Sequence, residues 1–188
     1  IVTTSDDYSA RLWNRKGELL AELNGHQGPV YSASFSPDSN TIVTASSDRT
    51  ARLWNRNGKS VAELNGHQDI VNSAFFSPDG NTIVTASRDH KAIVWNRNGE
   101  LLAELKEHQG WVRSAAFSPD GDTIVTASDD NIARVWIVPN YNDLLSEACA
   151  RVGDYLKHYP NVEEADRNLC DGIDRSTPHR VSSSAPEQ

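Results

Sequence analysis

Histidine, threonine, aspartate and tryptophan are residue types with which proteins do chemistry, and this chain sets them out together three times. The sets are His26, Thr44, Asp48 and Trp54; His67, Thr85, Asp89 and Trp95; and His108, Thr126, Asp130 and Trp136. A hydroxyl, an imidazole and a carboxylate are the ingredients of nucleophilic catalysis. A catalyst needs one such group, whereas here the grouping returns at fixed spacing, as Trp13, Trp54, Trp95 and Trp136 show with a constant interval of 41 residues. Repetition of that kind points to architecture instead of turnover, and no catalytic residue is expected. The same logic disposes of a metal. His26, His67 and His108 belong to different copies, and no neighbouring His or Cys completes a ligand set. His90 stands alone in a turn and is expected to be solvated. The glycines of "NRNGK" and "SPDGN" are not a phosphate cradle, because no Lys-Ser/Thr follows them. No cofactor is expected.

The elements that must position these residues are short. A period of roughly 40 to 45 residues is the length of a propeller blade, but it overlaps that of some helical repeats, so the content of each copy has to decide. "VYSASFS", "TIVTAS", "ARLW" and "SVAEL" are brief runs rich in β-branched and aromatic residues. Between them stand "SPDSN", a turn through Asp48, "NRNGK" and "NGHQ", dense in Pro, Gly, Asn and Asp. Four strands and four turns fill one period, which predicts an all-β chain.

With Gly25-His26 and Gly66-His67 opening a unit and Trp54 or Trp95 near its end, the copies resemble WD40 repeats, the family of β-propellers. The resemblance covers residues 1–139. It implies a partial blade over 1–23, blades over 24–64 and 65–105, and a last blade over 106–139. With strands lettered a to d, the chain then supplies b, c, d, two full sets, and a, b, c, which is about three and a half blades of four-stranded antiparallel sheet. An incomplete ring leaves sheet faces bare, so the resemblance implies completion by missing upstream blades or by self-association. It also implies a role for each recurring set: Asp accepts from His, His bridges to the Thr hydroxyl, and the hydroxyl meets the Trp indole N–H. Two departures stand out. The Asp that usually follows the tryptophan is Asn14, Asn55, Asn96 and Ile137 here, a change expected to matter little. Glu107 replaces the glycine before His108 and is expected to distort that turn, since glycine often marks positive φ.

After Pro139 the beat stops. Leu144, Leu145, Ala148, Val152, Tyr155 and Leu156 fall on one helical stripe, Pro160 ends it, and Asn161 with Glu164 makes a capping box for a second helix. A small helical hairpin is expected over 140–173, similar to the segment ending many cyanobacterial-type WD40 proteins, and a disordered tail over 174–188. Cys149 and Cys170 are compatible with a bridge across that hairpin or with reduced thiols, and a reducing cytoplasm is the simpler expectation. "IVTTSDD" is not a signal peptide and enters mid-repeat, so residues upstream are expected. No apolar run reaches the roughly 20 residues of a membrane span. A net charge of −8 argues against a nucleic-acid partner.

The copies differ from one another in an ordered way. The a-to-b turns, "SPDSN", "SPDGN" and "SPDGD", and the c-to-d turns, "NRKGE", "NRNGK" and "NRNGE", are nearly uniform. At the opposite end, after each His-Gln, stand Gly28-Pro29, Asp69-Ile70 and Gly110-Trp111, followed by Tyr31, Asn72 and Arg113, and the b-to-c turns vary likewise. Drift among solvated turn residues is one reading of that contrast. The other is a surface for a protein or peptide partner that includes Tyr31, Arg88, Trp111 and Arg113, because Trp and Arg are frequent anchors of interfaces. The resulting expectation is a non-catalytic interaction scaffold using the face of the d-a and b-c loops. The resemblance offers a second reading, the sensor or regulatory part of a multidomain signalling NTPase, kinase or protease-like protein.

Overall fold

Strand content follows the sequence pattern closely. "TIVTAS" packs β-branched residues on both sides, and it forms a strand in every copy where it occurs. The computed structural model describes residues 1–138. The expected hairpin over 140–173, the tail over 174–188, and Cys149 and Cys170 lie outside the described residues.

The strands are β1 (Val2–Thr4), β2 (Ser9–Trp13), β3 (Leu19–Asn24), β4 (Val30–Phe35), β5 (Thr41–Ser46), β6 (Thr50–Asn55) and β7 (Ser60–Asn65). They continue as β8 (Val71–Phe76), β9 (Thr82–Ser87), β10 (Ala92–Asn96), β11 (Leu101–Leu105), β12 (Val112–Phe117), β13 (Thr123–Ser128) and β14 (Ala133–Ile137). They form four antiparallel meanders, β1-β2-β3, β4-β5-β6-β7, β8-β9-β10-β11 and β12-β13-β14. The fold is therefore all-β, with sheets of three and four strands in the manner of propeller blades.

Sheet packs on sheet through one repeated pattern. Val43, Ala45, Ala51 and Leu53 of the second sheet meet Val71, Ala74, Ile83 and Trp95 of the third. Val84, Ala86, Ala92 and Val94 of the third meet Val112, Ala115 and Ile124 of the fourth. Small residues on one face receive large ones from the next, so the layers interlock at core density. The outer side of the fourth sheet has no such neighbour among the described residues. Val94 is 4% exposed, while Val135, 41 residues on, is 69% exposed.

Two irregularities recur. At the start of strand a the register slips, so that Tyr31, Asn72 and Arg113 each stand unpaired between bonded neighbours. A second bulge in strand d ejects Leu20, Val61 and Leu102, which are exposed. On that outermost strand a bulge blunts an open edge.

The Glu107 expectation needs correction. Neither Gly25, Gly66 nor Glu107 has positive φ. Glycine precedes the histidine for space: a Cβ on Gly25 would lie 3.1 Å from Trp54 Cη2, and one on Gly66 2.9 Å from Trp95 Cη2. Trp136 is only half-buried, and there the Glu107 carboxylate lies 3.7 Å from Arg134 Nε.

Candidate functional site

The three sets are assembled identically. In the second sheet His26 comes from the loop between β3 and β4, Thr44 from β5, Asp48 from the turn after it, and Trp54 from β6. His26 Nδ1 lies 2.8 Å from Asp48 Oδ2, His26 Nε2 lies 2.7 Å from Thr44 Oγ1, and Trp54 Nε1 donates to Thr44 Oγ1 at 2.8 Å. His67, Asp89, Thr85 and Trp95 repeat these contacts, and so do His108, Asp130, Thr126 and Trp136. Around His26 and His67 donors and acceptors match when the imidazole is neutral. Its Nδ1–H donates to the carboxylate, the Thr hydroxyl donates to Nε2, and the same oxygen accepts the indole N–H.

The electrostatics agree. Burial lowers the His26 pKa against the opposing pull of Asp48, so the ring stays neutral. Burial alone would raise the Asp48 carboxyl, but the Gln27 N–H, the Thr50 hydroxyl and His26 hold it down to about 2. The hydroxyl oxygen is therefore locked between an indole and an imidazole, with its residue fully buried. No substrate carbon can approach it, so the arrangement fastens loops instead of activating a nucleophile. Among the described residues no group of His, Cys, Asp and Glu could hold a metal ion.

Sequence reasoning missed a further member of the latch. Ser46 Oγ donates to Gly28 O at 3.0 Å and Ser87 Oγ to Asp69 O at 3.0 Å, pinning the b-c turn under the d-a loop. The signal was present, since each of these serines closes a "TAS". Also missed was Arg134, whose Nη1 reaches Asp130 Oδ2 at 3.1 Å. Its counterpart Arg52 pairs with Glu63 on strand d, and Arg11 pairs both with Glu22 on strand d and with Asp7, the counterpart of Asp130; strand d is absent beside β14 among the described residues. The asparagines after Trp13 and Trp95 close the c-d turns. Asn96 Oδ1 accepts the Asn98 and Glu100 N–H groups and its Nδ2 donates to Glu100 Oε2 at 2.6 Å. An Asp there would repel that glutamate.

The two ends of the sheets differ in backbone as well as in side chains. On the uniform end the left-handed positions are Gly17, Gly58, Gly80, Gly99 and Gly121, with Ser39 as the exception. On the varied end they are Tyr8, Arg49, His90 and Asn131, with φ from 64° to 73°. Side chains at positive φ cost stability that glycine avoids. Of the residues expected in a binding patch, Arg88, Trp111 and Arg113 stand together: the guanidinium carbons of Arg88 and Arg113 lie 4.6 Å and 4.9 Å from the Trp111 ring centroid. Arg88 belongs to the third sheet and the other two to the fourth, so the stack bridges adjacent sheets. Tyr31 is exposed on the second sheet. His90 is exposed. On the uniform end Arg97 Nη2 lies 3.6 Å from Asp38 Oδ2, a half-solvated pair of little worth to stability.

Antiparallel meanders stacked face to face, each latched by the same four side chains, define a repeat protein of the β-propeller class. The family model for the WD domain, G-beta repeat (WD40) matches residues 17–55, 58–96 and 99–136, more than half of the chain, and the chain belongs to that family. Each match runs from strand d of one sheet through strands a to c of the next, so every family unit contains one crossing between sheets. No curated protein matches the chain. WD40 repeats in general serve as protein-interaction scaffolds and are generally non-catalytic.

Proposed function

We propose that this chain is a non-catalytic scaffold that binds a protein or peptide partner on the end formed by its d-a and b-c loops. The observation that carries the reading is the coincidence of two features there. Side chains differ from copy to copy at that end, and large side chains occupy left-handed backbone that glycine would hold at lower cost. Arg113, Asn72 and Tyr31 add a third feature, because a bulge re-aims a side chain out of the regular ladder. Trp111, 38% exposed between two guanidinium groups, is the anchor.

The test is selection of random displayed peptides on the immobilised chain, followed by affinity measurement with the doubly substituted Trp111→Ala, Arg113→Ala variant. Loss of about tenfold or more is expected, as for removal of an anchor worth upwards of 1.4 kcal/mol. Substituting Arg56 and Lys59 on the uniform end should change little. Undiminished binding by the Trp111 variant refutes the assignment. The outer side of the fourth sheet, on which no other sheet packs among the described residues and where Val125 and Val135 are exposed, favours a second element of this proposal: another sheet of the same type completes the stack, from further repeats of the polypeptide or from a second copy.

A further inference from the structure

We propose that the partner segment presents one carboxylate side chain, Asp or Glu, to the guanidinium of Arg88, beside an apolar residue that lies against Trp111. This rests on the reading of the varied end as the binding face and specifies what is bound there.

The two arginines around Trp111 are not equivalent. Arg113 donates from Nε to Asp129 Oδ1 at 2.8 Å and from Nη2 to Asp129 Oδ2 at 2.7 Å, a two-pronged pair that satisfies its charge within the chain. Arg88 has no such partner. Its Nε lies 3.5 Å from Asn72 Oδ1, and Asn72 is itself fixed by donating from Nδ2 to Val112 O at 2.8 Å. Among the described residues, no carboxylate lies within ion-pair distance of Arg88 and its two terminal nitrogens make no hydrogen bond. A planar fork is thus held against an indole with both prongs open. Much of the entropy cost of ordering a long side chain is already met before a ligand arrives.

An open guanidinium fork fits an oxygen pair, in carboxylate or phosphate. The surroundings choose between them. Asp129 is close enough for Arg88 to lower its pKa, after the larger effect of Arg113, and Asp69 and Asp89 stand in the adjoining loops of the same sheet. A dianion or a run of phosphates would meet those carboxylates, and the chain as a whole carries −8. A single monoanionic side chain is the species that one unopposed cation among acids can hold.

The experiment is a double-mutant cycle on the full chain with the tightest peptide from the selection above. The peptide is made with its acidic residue, with the matching amide, and with phosphoserine at that position; the chain is wild type, Arg88→Gln or Arg88→Lys. The acid-to-amide change is expected to weaken wild-type binding about tenfold or more and to leave Arg88→Gln binding nearly unchanged, with Arg88→Lys between them. Phosphoserine is expected to bind more weakly than the acid. Selected peptides without an acidic residue, equal losses on wild type and Arg88→Gln, or tighter binding of phosphoserine each overturn the inference. If those results come with binding that still collapses on Trp111→Ala, the inference alone fails; binding indifferent to Trp111 removes the binding face itself.

Discussion

At the scale of single residues, the hydroxyl of each recurring threonine is the hub. Thr85→Val keeps the shape but strands the Trp95 indole N–H and His67 Nε2 in a buried site, which should cost about 1 to 3 kcal/mol by urea unfolding. Thr3→Val should cost less: Trp13 Nε1 donates to Thr3 Oγ1 at 2.8 Å, but that site is exposed and no histidine reaches it among the described residues. Equal losses would mean that the imidazole adds nothing. The protonation states set a pH dependence. His26 has a folded pKa below its ordinary 6.5, so the unfolded chain binds the proton more readily, and stability is full above about pH 6.5 and declines below it. Asp48 falls from 3.8 to about 2 on folding, adding a second loss across that interval. Melting temperature should therefore fall on acidification from about pH 7.5 to about pH 5, and less steeply for His26→Gln; a flat or rising profile contradicts the neutral-imidazole arrangement.

At the scale of elements, turns and bulges decide where side chains go. His90→Gly should stabilise the protein by up to about 1 kcal/mol, because glycine holds φ of 69° without strain, and should leave the latch intact. Gly66→Ala should destabilise it, since the new Cβ would meet the Trp95 ring at 2.9 Å. Glu107→Gly should be neutral by the same measure, chemical denaturation. These contrasts show what the sequence made legible. Strands were readable because β-branched runs alternate with Pro-, Gly- and Asn-rich turns every few residues. The recurring sets were readable because identical residue types at identical spacing must occupy identical places. The bulges at Tyr31, Asn72 and Arg113 were not, because a bulge depends on pairing across strands and leaves no residue signature in Val-Tyr-Ser or Val-Arg-Ser. Nor was the ring of Trp54 against Gly25 visible, since a close approach between residues far apart in sequence looks the same as a turn preference until both are placed. Arg88 over Trp111 was legible only as membership of one face, because they belong to neighbouring sheets.

At the scale of the whole molecule, the repeat makes each sheet a cover for the next, and equivalent positions differ only in what covers them. Val94→Asp puts an unpaired charge between two sheets and should unfold the protein, at a cost above about 4 kcal/mol. Val135→Asp should cost less than about 1 kcal/mol in the monomer and reduce any association seen by sedimentation. Matching losses in the monomer would mean that the outer side of the fourth sheet is not open. The division of labour across the molecule is the central claim: residues that recur hold sheets together, and residues that vary at one end meet the partner. Its most direct test is a substitution scan of the displayed chain read twice, once for folded display and once for binding of the selected peptide. Substitutions at His67, Thr85, Asp89 and Trp95 should lower display, while those at Arg88, Trp111 and Arg113 should preserve display and weaken binding about tenfold or more. Loss of display at the second group, or loss of binding with full display at the first, would contradict the account.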